Sequence, residues 1–253
     1  MEAQVKAMRR IVLAAVLVAL GIGLAVPAGA SAAVTVGSPL TATFGPSNRT
    51  CSPACTDMIT TLPEPGAQVN SPINGVIVRW RMMGNAGVAS FRLRVVHPES
   101  AGQYLGVAEG EPEVPTGDGP SVFNARLPIS AGDTIGLDIP DGVTWNGNSA
   151  TLTGAGFVSV QPTLTDTPPA QAPNFSVDNT EEGFNADVEP DADGDGFGDE
   201  TQDGCPTNGA SQAPCPTAPA APVAKKKCKK KHKKHSAESA KKKCKKKKKS
   251  ASA

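Results

Sequence analysis

From Val34 onward the chain has no apolar stretch of helical period; its apolar residues come in short alternating runs. In "VIVRWRMM" (76–83), Val76, Val78, Trp80 and Met82 fall on one face and Ile77, Arg79, Arg81 and Met83 on the other. In "FRLRVV" (91–96), Phe91, Leu93 and Val95 are expected to point inward, with Arg92 and Arg94 facing water. "TVGSPLTATF", "QYLGVAEG", "SVFNARLPI", "DTIGLDI" and "ATLTGAGFVSV" are further strand candidates, and Gly, Pro, Asn or Asp separates them. Short strands with turn residues at regular spacing predict a mainly β protein, an antiparallel β-sandwich or jelly roll. About 130 residues suffice for one buried core.

The N-terminus speaks to compartment. Lys6, Arg9 and Arg10 precede a 16-residue apolar run, Ile11 to Val26, and the small-residue stretch "PAGASAA" follows. This is the pattern of a secretory signal peptide, and the run is shorter than the about 20 residues of a spanning helix. The mature chain is expected to start between Ser31 and Val34, outside the cytoplasm and with no transmembrane helix. Export permits disulfides. Six cysteines fall into three local pairs, Cys51 with Cys55, Cys205 with Cys215 and Cys228 with Cys244. Neighbour pairing is the simplest of the 15 connectivities.

The formal net charge of +1 conceals a segregation. Residues 34–224 hold six arginines, no lysine and 22 acidic residues, a formal charge of −16. Residues 225–253 hold 16 lysines and one glutamate, +15. The expected organisation is a signal peptide (1–32), a β-sandwich domain (33–166), a Pro-rich linker (167–184), an acidic calcium-binding segment (185–206), a Pro/Ala linker (207–224) and a disordered Lys-rich tail (225–253).

Within the acidic segment, "DADGDGFGDETQDGCP" (191–206) alternates carboxylates. Ca²⁺ takes six to eight oxygens at about 2.3–2.6 Å, and a tight loop of alternate carboxylates can supply them. With Asp191 as position 1 of an EF-hand loop, Asp193, Asp195 and Asp199 take positions 3, 5 and 9. Gly196 stands at the turn and Phe197 offers its backbone carbonyl. Position 12 is Gln202 rather than glutamate, with Asp203 one residue later, so the last ligand is Gln202 or Asp203. Pro190 before the loop and Gly-Cys-Pro after it leave no flanking helices.

The stretch resembles a thrombospondin type 3 repeat, D-x-D-x-D-G-x-x-D-x-x-D-x-C-P, which Asp191, Asp193, Asp195, Gly196, Asp199, Cys205 and Pro206 match in order; Asp203 lies one residue late. The resemblance covers one repeat, and it implies calcium binding in an extracellular adhesion or surface protein. Residues 73–139, with Trp80, "FRLRVVHP", "YLGV" and "LPISAGDTIGLDI", also resemble secreted β-sandwich proteins of actinobacterial type. That likeness implies fold and location, not activity.

The tail, "KKKCKKKHKKH" and "KKKCKKKKK", carries charge without aromatic or arginine readout. It suits anionic cell-envelope polymers, with nucleic acid disfavoured as a partner after export; folding back onto the acidic segment is the intramolecular alternative. No G-x-S-x-G, H-E-x-x-H or phosphate-binding glycine loop is present, and His97 reads as a surface residue, so no enzymatic activity is expected. Glu109, Glu111 and Glu113 read as a polar loop. Trp145, in the loop "DGVTWNGNSATLTG", is the one candidate for a carbohydrate-stacking residue and carries the rival reading of a carbohydrate-recognition module.

Overall fold

The computed structural model of the chain describes residues 32–117 and 119–216. The signal peptide, the Lys-rich tail and the Cys228–Cys244 pair therefore lie outside the described residues, but for Ala32. No helix among the described residues is long and apolar enough to cross a membrane.

The described chain is built of antiparallel strands in two facing sheets. The smaller sheet has the order β1 (Val34–Gly37), β11 (Phe184–Glu189), β4 (Gly75–Met82), β7 (Ser121–Ile129). The larger has β10 (Phe175–Glu182), β9 (Thr144–Val160), β3 (Cys55–Thr61), β8 (Thr134–Ile139), β5 (Arg92–Pro98), β6 (Tyr104–Glu109), with β2 (Gly45–Thr50) against β9. The core lies between them. Ile77, Trp80, Met82, Phe123, Phe184, Ala186 and Val188 of the smaller sheet meet Cys55, Ile59, Leu93, Val95, Ile135, Leu137 and Ile139 of the larger. Trp80 packs on Phe123 with ring centroids 4.5 Å apart. A second apolar cluster, Met58, Val96, Val160 and Leu164, forms where the segment after β9 folds back.

Three expectations need correction. The alternation in β4 is broken by a register shift between Ile77 and Arg79. Ile77 therefore joins Trp80 and Met82 in the central core, while Val76 and Val78 do not. Arg94 does not face water: it is 5% exposed, enclosed by Asp138, Asp166 and Glu109. The region expected as a Pro-rich linker (167–184) contains β10 and the start of β11, and the acidic segment (185–206) begins inside β11.

β11 is an interior strand, paired with β1 on one side and β4 on the other. Its "FNADVE" alternates perfectly, Phe184, Ala186 and Val188 entering the core while Asp187 turns to Arg79 and Arg81. Of the acidic residues expected in the linker and calcium segment, Asp187 is thus a strand residue paired with two arginines. Burial works against the Asp187 charge, but hydrogen bonds from Arg81 and Arg79 outweigh it and hold the carboxyl below its usual range.

Both expected disulfides within the described residues are present, Cys51–Cys55 and Cys205–Cys215. Residues 207–216 form no strand or helix, and the second bridge ties them back beside Gly204, whose N–H donates to the Gln212 carbonyl at 2.9 Å.

Candidate metal centre

β11 ends at Glu189, and Pro190 leads directly into the acidic turn. The turn is organised by its own carboxylates. Asp191 accepts the N–H groups of Gly194 (2.8 Å), Asp195 (3.1 Å) and Gly196 (2.9 Å). This tight wrap needs left-handed backbone at Gly194 and Gly196, with φ of +75° and +83°. Asp195 accepts Phe197 N–H at 2.9 Å and the Gln212 side-chain amide at 2.8 Å. Asp199 accepts Ala192 N–H, while its own N–H returns to the Pro190 carbonyl at 2.9 Å, closing the loop.

These bonds aim the carboxylates at one another. Asp191, Asp193 and Asp195 each bring an oxygen within 4.8 Å of the others. Oxygens about 2.3–2.6 Å from one ion can stand that far apart, so the spread fits a single Ca²⁺. Asp199 lies in the same turn, outside that cluster, with its carboxylate on Ala192 N–H. Its pKa is raised, first by burial and then by repulsion from Asp191, Asp193 and Asp203, against the Ala192 N–H bond.

Several of these oxygens have no protein partner. Both carboxylate oxygens of Asp193 are shielded from solvent and make no hydrogen bond, and so is Asp203 Oδ2, on a residue 6% exposed. Three shielded oxygens without a donor are costly unless a cation satisfies them.

Gln202 and Asp203 differ in the oxygens they leave unpartnered. Gln202 is committed elsewhere: its oxygen accepts Gly198 N–H at 3.3 Å and its amide donates to the Ala125 carbonyl at 2.8 Å. Asp203 accepts Cys205 N–H at 2.8 Å with one oxygen, and its other oxygen is shielded and has no partner. Phe197 lies in the turn, with its ring beneath the Arg126 guanidinium at 4.5 Å.

Residues that sequence reasoning passed over hold the turn in place. Glu189, buried at the end of β11, accepts Glu200 N–H (3.0 Å), Thr201 N–H (2.9 Å) and the Thr201 hydroxyl (2.7 Å). Gly198 lies so close to the sheet that a Cβ there would meet Val78 Cγ1 and the Glu189 carboxylate at 2.5 Å. Nothing in the local spacing marks Gln202, Gln212 or Glu189 for these roles.

The remaining sequence candidates do not gather into a site. Trp145, expected on an end loop, is the second residue of β9. His97, half exposed, pairs with Asp133 at 2.7 Å, and that hydrogen bond raises its pKa against a small desolvation effect. Glu109, Glu111 and Glu113 line a groove of about 470 Å³ beside Trp80, but Glu109 is engaged by Arg94 at 2.8 Å. Cys51, Cys55 and Asp57 also cluster; the cysteines are bonded to each other and offer no thiolate. Comparison with protein-family models, curated proteins and solved structures finds no match for this chain.

Proposed function

We propose that the protein is a secreted, non-enzymatic surface protein of adhesion type. Its β-sandwich carries a structural Ca²⁺ in the turn 191–203, and its lysine tail associates with anionic polymers of the cell envelope. The observation that carries the metal reading is the clustering of Asp191, Asp193 and Asp195, with Asp199 and Asp203 in the same turn, together with three shielded carboxylate oxygens that have no donor. An all-oxygen carboxylate set suits a hard cation, and a coordination number of six to eight is filled by five carboxylates, the Phe197 carbonyl and water. A thrombospondin type 3 repeat, which the turn resembles, has the same chemistry. Two disulfides among the described residues fit an oxidising compartment. The tail's 16 lysines supply charge-driven, salt-sensitive attraction to polyanions without sequence or shape readout.

Calorimetric titration of calcium into the processed chain tests the metal site. Saturable binding with Kd near about 10⁻⁴–10⁻³ M, abolished by Asp193→Asn/Asp195→Asn, supports it. Absence of heat at several times about 1 mM calcium rejects it. Removing residues 225–253 tests the tail: envelope association at low salt should disappear.

A further inference from the structure

The acidic turn touches β11, β4 and β7 of the smaller sheet and the residue that precedes β1. Beside β1, Ala33 N–H donates to the Glu200 carboxylate at 2.7 Å. At the end of β11, Glu189 takes its three donors from residues 200 and 201. On β4, Gly198 packs against Val78. On the edge strand β7, Gln202 bonds the Ala125 carbonyl and Phe197 stacks on Arg126. Ala125 lies where the β4–β7 pairing shifts register, so Gln202 satisfies a carbonyl at an irregular point of the sheet.

The turn is in turn bound at its far end by conditions found outside the cell. Gln212, which bonds Asp195, lies within the loop closed by Cys205–Cys215. That bridge forms in an oxidising compartment. A weak all-carboxylate site with Kd of about 10⁻⁴–10⁻³ M stays empty at the about 10⁻⁷–10⁻⁵ M to which intracellular sensors are tuned.

We propose that the calcium turn is a clasp across the smaller sheet that closes only after export, so that calcium controls the order of the edge strand β7 and not merely of the turn. This rests on the calcium reading above. Repulsion among the aspartates and the unpartnered oxygens of Asp193 and Asp203 oppose the turn's wrapped form; the ion reverses that repulsion, and Glu189, Gln202 and Phe197 pass the resulting order to β11 and β7. Binding to the folded state alone should shift the folded-to-unfolded ratio by roughly 10- to 100-fold at about 10 mM calcium.

The test uses the processed chain with its tail, at graded calcium, reading calorimetry, thermal unfolding and amide exchange over Ser121–Ile129. The expected result is a Tm rise of about 3–10 °C with slower exchange in β7, both half-saturating near about 0.1–1 mM. In Gln202→Ala/Arg126→Ala calcium should still bind, while β7 loses most of its calcium-dependent protection. Calcium binding with unchanged Tm and unchanged β7 exchange overturns the clasp and leaves the metal site standing. Half-saturation at or below about 10⁻⁵ M overturns closure after export. Absence of calcium binding removes the site and the clasp together.

Discussion

The side-chain amide of Gln202 donates to the backbone carbonyl of Ala125 at 2.8 Å, across 77 residues of sequence. This contact joins the acidic turn to the edge strand β7, and it separates Gln202 from Asp203 as candidate ligands. Asp203→Asn is therefore expected to weaken calcium binding by roughly tenfold or more, about 1.4 kcal/mol. Gln202→Ala should change affinity less and stability by about 1–2 kcal/mol, because it orphans the Ala125 carbonyl and Gly198 N–H. Paired calorimetry and urea denaturation would reveal which of the two residues ligates the ion.

Glu182 is 2% exposed, accepts the Ser149 hydroxyl at 3.3 Å and leaves its second oxygen unpaired. Burial pushes its pKa well above the ordinary value, and Asp57 adds repulsion that Arg49 only partly offsets. Its folded pKa thus lies above the unfolded value of about 4.3, so the folded state holds more protons between the two. The stability it contributes is fully present below about pH 4.3 and is lost as pH rises through the folded pKa. Glu182→Gln should accordingly stabilise the protein by about 1–3 kcal/mol at pH 8 and be near neutral at pH 4. Melting curves at both pH values would show the gain or its absence.

Arg94 is enclosed by Asp138 at 2.7 Å, Glu109 at 2.8 Å and Asp166. Burial raises the Asp138 pKa, against the hydrogen bond and charge of Arg94. Arg94→Met leaves Asp138 buried without its counter-charge and should cost about 3–5 kcal/mol at neutral pH. Arg94→Met/Asp138→Leu should recover much of that loss. A double-mutant cycle by denaturant unfolding checks this.

The Cys205–Cys215 bridge holds Gln212 against Asp195. Cys205→Ser/Cys215→Ser should weaken calcium binding several-fold and destabilise the chain by about 2–3 kcal/mol, as expected for a loop of this length. Thiol titration of the unfolded, tail-truncated protein should detect no free cysteine among the four in the described residues.

Much of the fold was legible in the amino-acid order. "SVFNARLPI" and "DTIGLDI" match β7 and β8 within one residue; β7 shows the period of two of a strand with one buried face, while β8, buried throughout, was marked by its bounding turn residues. β11 carries an equally clear signal in "FNADVE", obscured by the prolines before it and the aspartates after it. Arg94 and Val78 were misassigned for different reasons. Arg94 follows the alternation of "FRLRVV", but three carboxylates from distant segments close over the face expected to meet water. A bulge moves the face of Val78 without leaving a residue-type mark.

The sequence by itself pointed to the β class, to the Cys51–Cys55 and Cys205–Cys215 pairs and to a tight acidic turn, since each rests on spacing within a few residues. Only the tertiary structure decided that residues 175–182 and 184–189 are strands of the sandwich, that Gln202 is engaged by Ala125 while Asp203 keeps an unpartnered oxygen, and that the turn packs against β11, β4 and β7. The physical reason is the range of the interactions. Backbone N–H groups within a turn are satisfied by carboxylates two to five residues away, and that pattern is written locally. The partners of Gln202, Arg94 and Asp187 lie far away in sequence and come alongside only through the strand order of each sheet.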